Sequence, residues 1–230
     1  MKTFEKMTKG EVLVFCLMTV CSGLVIGIGG TASLLANNLD GAWGKLIGGL
    51  LFSLGIFTIV VFEMRLFTGM VADIPKMGWK NTWKLPVCFL GNTIGVLLVA
   101  MIAGDSFAGA TISAQAQSLM QGKFNTQGWA QKALASSVMC GGLITISVWS
   151  PKYAPKKGLS PTMGVMFPIV VFAFCGFDHS VANMLYLYFF GEISWRVTGY
   201  VLLTILGNIL GGIILPIVSL IREHVQNKQQ

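Results

Sequence analysis

The chain has 230 residues, of which 54% are hydrophobic and only 11% are charged, and its formal net charge is +7. Soluble domains carry about a quarter charged residues, so this composition excludes a water-soluble globule and indicates an integral membrane protein. The positive charge does not indicate a nucleic-acid partner. No basic stretch forms a coherent face, and lysine and arginine collect in the cytoplasmic loops of membrane proteins.

Six runs without a charged residue are candidates for membrane spans, each of which needs about 20 residues of helix. They cover residues 12–39, 46–62, 85–104, 133–151, 158–177 and 197–221. The first run is too long for the apolar region of a signal peptide, so we interpret it as a first span that is retained. Residues 106–122 also lack charge but are rich in serine, threonine and glutamine, and we assign them to a polar loop.

Lysine and arginine are distributed unequally between the two sides of these spans. If the N-terminus is cytoplasmic, the inside segments hold Lys2, Lys6, Lys9, Lys76, Lys80, Lys84, Lys152, Lys156, Lys157, Arg222 and Lys228, and the outside segments hold Lys45, Lys123, Lys132 and Arg196. Because cytoplasmic loops are rich in these residues, the bias predicts a multi-pass protein of the cell (inner or plasma) membrane with both termini in the cytoplasm. Residues 223–230 would form a cytoplasmic tail.

The pattern GNxxG occurs twice, at Gly91–Gly95 in the third span and at Gly207–Gly211 in the sixth, half the chain length later. A polar interruption precedes each copy by a similar distance, from Glu63 to Met70 and from Gly176 to Met184. Each half has three spans, an odd number, so the halves have opposite orientations in the membrane. These features predict an inverted repeat with two broken helices. We interpret the first asparagine, Asn92, as a hydrogen-bonding link between helices.

Irregular backbone at membrane depth is tolerated where it is buried in protein or lines a water-filled cavity. Two breaks related by pseudo-symmetry meet near the midplane, and the N-termini of their half-helices carry partial positive charge and free N–H donors. That arrangement favours binding of an anion. The charged residues of the breaks, Glu63, Arg65 and Asp178, therefore indicate an anion site. We hypothesise that Arg65 is held by Glu63 or Asp178 and fixes the first break. In the rival view, Arg65 faces a vestibule and concentrates anions.

Four short motifs in these regions resemble those of the formate/nitrite transporter family, which also includes hydrosulfide channels. They are LFTG at 66–69, GNTIG at 91–95, GFDHSVANM at 176–184 and GNILGG at 207–212. The resemblance implies an all-α membrane protein in which six transmembrane helices form two inverted three-helix repeats, with helices 2 and 5 interrupted, in an aquaporin-like architecture. It also implies a homopentamer in which each protomer has its own pore. Residues 1–230 would form one transmembrane channel domain, with repeats at about 10–105 and 130–222.

Within this resemblance, His179 matches the central histidine of the pore and Thr68 matches the threonine of the broken second helix. The other residues implied to line the pore or its apolar constrictions are Leu66, Phe67, Phe52, Ile56, Phe172 and Asn208. Five positions depart from the family pattern. Asp178 replaces a glutamate, Arg65 an acid, Met70 an asparagine or serine, Gly141 an asparagine and Thr145 a cysteine.

The function implied by the resemblance is a channel or transporter for small monovalent anions of weak acids, with formate and nitrite as the leading substrates. Hydrosulfide, acetate and lactate stay open, and so does a neutral-solute pore of the aquaporin type. The Asn-Pro-Ala signature of that type is absent, because Ala182 and Asn183 are followed by Met184.

An enzyme is not predicted. A single histidine at membrane depth does not provide bis-histidine haem ligation, no GxSxG nucleophile motif occurs, and the five cysteines lack metal-ligand spacing. We therefore expect neither a cofactor nor a metal. The expected partners are the permeant anion, membrane lipid and further copies of the chain, without nucleic acid.

Overall fold

The structure, a computed structural model, describes residues 7–39, 41–153 and 160–228. Its helices are α1 (Lys9–Ala36), α2 (Gly41–Val61), α3 (Phe67–Met70), α4 (Lys84–Gly104), α5 (Gly109–Asn125), α6 (Trp129–Tyr153), α7 (Pro161–Cys175), α8 (Ser180–Phe190) and α9 (Trp195–Asn227). Two 3₁₀ turns, Val71–Lys76 and Trp79–Asn81, connect α3 to α4. The described chain contains no β-strand, and the predicted all-α class is confirmed.

Five of the described helices, α1, α2, α4, α6 and α9, are long and apolar enough to cross a membrane, α4 together with the turn before it. A sixth span is formed by α7 and α8, which are bent by 40° at the break between them. The first half contains the corresponding break between α2 and the short helix α3. The predicted multi-pass architecture with two interrupted helices is therefore confirmed.

The two halves of the chain use the same close helix crossing. In the first half α1 packs against α4, and a Cβ atom on Gly23 would overlap the main-chain carbonyl of Asn92. In the second half α6 packs against α9, and a Cβ atom on Gly141 would overlap the carbonyl of Asn208. Small residues let helices approach closely in lipid, where packing holds them together. Gly141 thus fits a crossing that has no room for the asparagine of the family pattern.

Some charged residues of each predicted group lie near one another. Lys76 Nζ lies 3.1 Å from the carboxylate of Glu223, which joins the segment after α3 to the last turns of α9. Lys45, at the opposite end of the α2–α3 span, lines one cavity together with Lys123. Four lysines of the predicted inside group, Lys2, Lys6, Lys156 and Lys157, lie outside the described residues.

The prediction of a polar loop over residues 106–122 is wrong, because helix α5 occupies most of this segment. Its buried residues recur at helical spacing and are Gly109, Ile112, Ala116, Met120 and Phe124. This seam packs chiefly against α8. The helix is amphipathic, so its average composition is polar although one face is buried.

Three predicted boundaries also change. The first break runs over 62–66 and the second over 176–179, because α3 and α8 already include the remaining residues that were predicted as interruptions. The predicted tail at 223–230 begins as helix, since α9 continues to Asn227.

Candidate functional site

Both breaks begin with the same helix C-cap. At the end of α2, Glu63 adopts the left-handed conformation (φ 51°), and the N–H of the next residue donates to the main-chain oxygen of Ile59 at 2.9 Å. At the end of α7, Gly176 adopts it (φ 70°), and the next N–H donates to the oxygen of Phe172 at 3.0 Å. This Schellman geometry ends a helix and satisfies its last carbonyls. Glycine adopts it without steric cost, whereas Glu63 is strained.

Asn92 on α4 holds the first break. Its buried Oδ1 accepts the main-chain N–H of Phe67 at 2.8 Å, and its Nδ2 donates to the main-chain oxygens of Thr19 and Arg65 at 2.7 and 2.9 Å. The link between helices predicted for Asn92 is therefore present. The same carboxamide also gives a partner to the first N–H of α3, which has no acceptor inside its own helix.

Asn208 on α9 holds the second break in the same way. Its Oδ1 accepts the N–H of Ser180 at 2.8 Å, and its Nδ2 donates to the main-chain oxygens of Ser137 and Asp178, each at 2.9 Å. These contacts direct the buried side chain toward the main chain of the break. The geometry therefore gives Asn208 the same supporting contacts that Asn92 has, and the partial pore role predicted for Asn208 stays a prediction.

Thr68 on α3 and His179, which precedes α8, meet where the two breaks face each other. Thr68 Oγ1 lies 2.9 Å from His179 Nε2, and both side chains are buried. His179 also caps α8, because its Nδ1 accepts the N–H of Ala182 at 3.1 Å. An acceptor at Nδ1 places the proton of a neutral imidazole on Nε2, which then donates to Thr68 Oγ1. The hydroxyl hydrogen of Thr68 is left to donate to a bound group.

An aromatic cluster packs against His179. The rings of Phe52 and Phe172 meet edge to face with centroids 5.4 Å apart, and Phe172 stacks on the imidazole at 5.9 Å. Both phenylalanines line a cavity of about 680 Å³, here named the α5 vestibule, whose cationic side chains are Lys45 and Lys123. The structure thus brings the predicted constriction residues Phe52 and Phe172 together, beside the histidine and at the wall of a vestibule.

A second cavity, of about 290 Å³, lies at the first break and is here named the Arg65 vestibule. Its charged lining consists of Glu63, Arg65 and Asp73. Leu66, which is 2% exposed and precedes Phe67, contributes an apolar wall. Leu66, a predicted constriction residue, therefore lies at the wall of a different cavity from the one that Phe52 and Phe172 line.

Two of the predicted pore residues are placed in the core. The ring of Phe67 packs against Phe89 of α4, with centroids 5.3 Å apart. Ile56, one turn beyond Phe52 on α2, is fully buried in the apolar core. Neither Phe67 nor Ile56 lines the α5 vestibule or the Arg65 vestibule.

Asp178 is bound by side chains from three other elements. Its Oδ1 accepts hydrogen bonds from Lys123 Nζ of α5, from the hydroxyl of Tyr200 of α9 and from Asn183 Nδ2 of α8. Sequence reasoning does not identify Lys123 or Tyr200 as site residues. The available signals were a lysine on an amphipathic helix and a tyrosine hydroxyl inside an apolar span, where it needs a hydrogen-bond partner.

The structure contradicts the predicted pairing of Arg65. Among the described residues, no carboxylate lies within 4.0 Å of its guanidinium, because Asp178 is paired with Lys123 and Glu63 does not reach it. Arg65 is exposed and lines the vestibule that carries its name. This placement is the one that the rival view of Arg65 requires.

A helical membrane protein with inverted halves, whose broken spans meet at a buried histidine and have a cavity beside each break, has the architecture of a transport protein. The chain belongs to the formate/nitrite transporter family, because the model of that family matches residues 1–221. Relatives and structural neighbours are described as transporters and channels, so the chain is a transport protein and not an enzyme.

Individual relatives agree with this assignment. The chain is 29% identical to the probable formate transporter of Methanothermobacter thermautotrophicus, covering 91% of this chain and 87% of that protein. It is 31% identical to the formate channel FocA of Haemophilus influenzae, covering 62% of this chain and 53% of that protein. A solved pentameric formate channel with formate bound matches with a TM-score of 0.75 at 20% identity, covering 97% of this chain and 100% of the other. This similarity confirms the predicted fold.

Proposed function

We propose that this protein is a channel for small monovalent anions of weak acids, with formate or nitrite as its substrate. Membership of the formate/nitrite transporter family supports this proposal. The observation that carries it is the buried hydrogen bond between Thr68 Oγ1 and His179 Nε2, which joins the two breaks at 2.9 Å.

The chemistry around this pair favours a ligand that accepts hydrogen bonds. Helix α8 begins directly after His179, and a helix N-terminus carries partial positive charge. The hydroxyl hydrogen of Thr68 has no acceptor among the described residues once Nε2–H donates to its oxygen. An oxygen of formate or nitrite fits this donor.

The apolar walls favour passage of a neutral species. A bare anion that leaves water for the aromatic cluster of Phe52 and Phe172, or passes Leu66, loses hydration at a cost of several kcal/mol or more. That cost falls if the anion takes up a proton near the middle of the membrane and crosses as the neutral weak acid.

His179 orients the substrate in this scheme, and water supplies the proton. Protonation of Nδ1 would remove the acceptor for the N–H of Ala182. It would also place a positive charge at the positive end of α8, which is unfavourable. The imidazole therefore stays neutral, with Nε2–H directed at Thr68.

The α5 vestibule collects the anion before it enters the apolar passage. Lys45 and Lys123 give this vestibule a positive lining, whereas the Arg65 vestibule carries Glu63 and Asp73 beside Arg65. Charge of one sign in a cleft with low-dielectric walls raises the local concentration of the opposite ion.

We further propose a homopentamer in the cell membrane, with lipid around the ring, both termini in the cytoplasm and one channel domain spanning residues 1–230. The similarity to a pentameric formate channel supports the assembly. The lysine distribution supports the orientation. Native mass spectrometry in mild detergent should detect five copies, and a dominant monomer or dimer would contradict the pentamer.

A flux panel in proteoliposomes tests the substrate class. Formate, nitrite, hydrosulfide, acetate and lactate are compared at two pH values, with glycerol as the neutral solute and protein-free liposomes as the background. We expect formate or nitrite uptake above background that rises as the outside pH falls, because protonation assists passage. Uptake of glycerol without uptake of any anion would refute the proposal and favour a neutral-solute pore.

A further inference from the structure

One carboxylate oxygen at the second break receives three donors from three helices. Asp178 Oδ1 accepts from Lys123 Nζ, from the Tyr200 hydroxyl and from Asn183 Nδ2, the last at 3.3 Å. The Asp178 side chain is 5% exposed. Its main chain is fixed as well, because the N–H of Asp178 donates to Ser136 Oγ at 2.9 Å. The carboxylate is therefore buried and held in one position.

Lys123 is the one donor of the three that also lines the α5 vestibule. Its side chain is 23% exposed, whereas Tyr200 is 1% exposed. The ammonium donates to the carboxylate of Asp178 and, at 3.3 Å, to the hydroxyl of Tyr200, and an anion in the vestibule would compete with both. If Lys123 leaves Asp178, a buried carboxylate loses its counter-charge, which is costly unless other hydrogen bonds to it remain.

The hydroxyl of Tyr200 supplies such a bond from a fixed position. It donates to Asp178 Oδ1 and accepts from Asn183 Nδ2 at 2.9 Å and from Lys123 Nζ at 3.3 Å, so two of its three hydrogen bonds are made without Lys123. We propose that Tyr200 is a positioning residue, which keeps Asp178 hydrogen-bonded while Lys123 turns to the permeant anion. This inference rests on the proposed function and names how the anion is captured in the α5 vestibule.

Tyr200→Phe tests the inference, because it removes the hydroxyl and keeps the ring that packs on Phe124. Asp178 then depends more strongly on Lys123. This effect outweighs the loss of the longer bond from Lys123 to Tyr200, because the bond to the carboxylate joins two charged groups, so Lys123 is released less readily. We expect the half-saturating anion concentration for uptake into proteoliposomes to rise about tenfold, since a hydrogen bond to a charged group changes an equilibrium constant by about that factor or more. The maximal rate should stay near that of the wild type.

Two further variants separate this effect from a general disturbance. Tyr188→Phe is the matched control, because Tyr188 is 43% exposed on α8 and lies outside the Asp178 cluster, and it should behave as wild type. Asp178→Asn removes the charge that competes for Lys123, so the half-saturating concentration should fall. Adding Tyr200→Phe to Asp178→Asn should change that concentration no further.

An unchanged or lower half-saturating concentration in Tyr200→Phe overturns the inference, and so does a lower melting temperature as its sole effect. If Tyr200→Phe does not fold, the test rests on Asp178→Asn. A half-saturating concentration of Asp178→Asn at or above that of the wild type then overturns the inference. A wild-type protein without anion uptake refutes the proposed function itself, before any variant is compared.

Discussion

Asn208→Ala tests whether a single carboxamide holds the second break. The substitution removes three hydrogen bonds, one that accepts from Ser180 N–H at 2.8 Å and two that donate to main-chain oxygens of Ser137 and Asp178 at 2.9 Å. All three are in the buried region behind His179. The N–H of Ser180, at the first position of α8, is then left without an acceptor.

The expected loss of stability follows from these contacts. A buried donor without an acceptor costs about 1–3 kcal/mol, and each of the other two bonds contributes about 0.5–1.5 kcal/mol. The total is about 2–6 kcal/mol, and we expect the lower half of this range, because the carbonyl of Ser137 keeps its partner inside α6. Asn92→Ala should cost a similar amount, since its three contacts match those of Asn208.

The assay is the free energy of unfolding of detergent-solubilised protein, followed by tryptophan fluorescence, together with anion uptake in proteoliposomes. Asn38→Ala is the control, because Asn38 accepts one exposed hydrogen bond from Gln115 at 3.0 Å and should change stability by less than about 0.5 kcal/mol. An Asn208→Ala variant that unfolds like the wild type but has altered anion selectivity would refute the supporting role and make Asn208 a pore residue.

Four further predictions concern the breaks and the apolar passage. Glu63→Gly should raise the free energy of unfolding by about 1 kcal/mol, because φ is 51° at Glu63; a decrease would contradict the strained cap. Gly141→Ala should lower it by about 1–3 kcal/mol, because the added Cβ separates α6 from α9; an unchanged value would mean that the crossing has room. Thr68→Ser should keep anion uptake while Thr68→Val lowers it about tenfold or more through loss of the hydroxyl donor; equal uptake by both would exclude the hydroxyl from the path. Phe52→Ala should increase glycerol entry into proteoliposomes by opening the aromatic cluster, and no increase would remove Phe52 from the barrier.

The repeat and its two breaks could be predicted from the sequence because one physical constraint acts twice. Each break needs a buried partner for the first N–H of the following half-helix, and an asparagine between two close-packing glycines supplies it at Asn92 and at Asn208. Such a constraint leaves the same motif in both halves. The pairing of Thr68 with His179 across the breaks follows from that symmetry, once the family pattern indicates the two residues.

Helix α5, the partner of Asp178 and the position of Arg65 could not be predicted. They depend on contacts between distant parts of the chain, which neither hydropathy nor the neighbouring residues in the sequence indicate. Helix α5 is too polar to be found as a span, although Ile112, Ala116 and Met120 recur every four residues and mark a buried face. Asp178 is paired with Lys123, which comes from that unpredicted helix. Arg65 therefore stays unpaired among the described residues, contrary to the prediction from its neighbours in the chain.

The central claim is that small anions of weak acids cross the membrane at Thr68 and His179. Its most direct test is the parallel recording of anion uptake and internal pH in proteoliposomes that contain wild-type or His179→Phe protein. We predict that the wild type takes up formate or nitrite together with protons, so that the interior acidifies in proportion. A folded His179→Phe protein should lose most of both signals between about pH 5 and 8, because a phenyl ring cannot donate to Thr68 Oγ1. Anion uptake by His179→Phe at the wild-type rate across this range would contradict the claim.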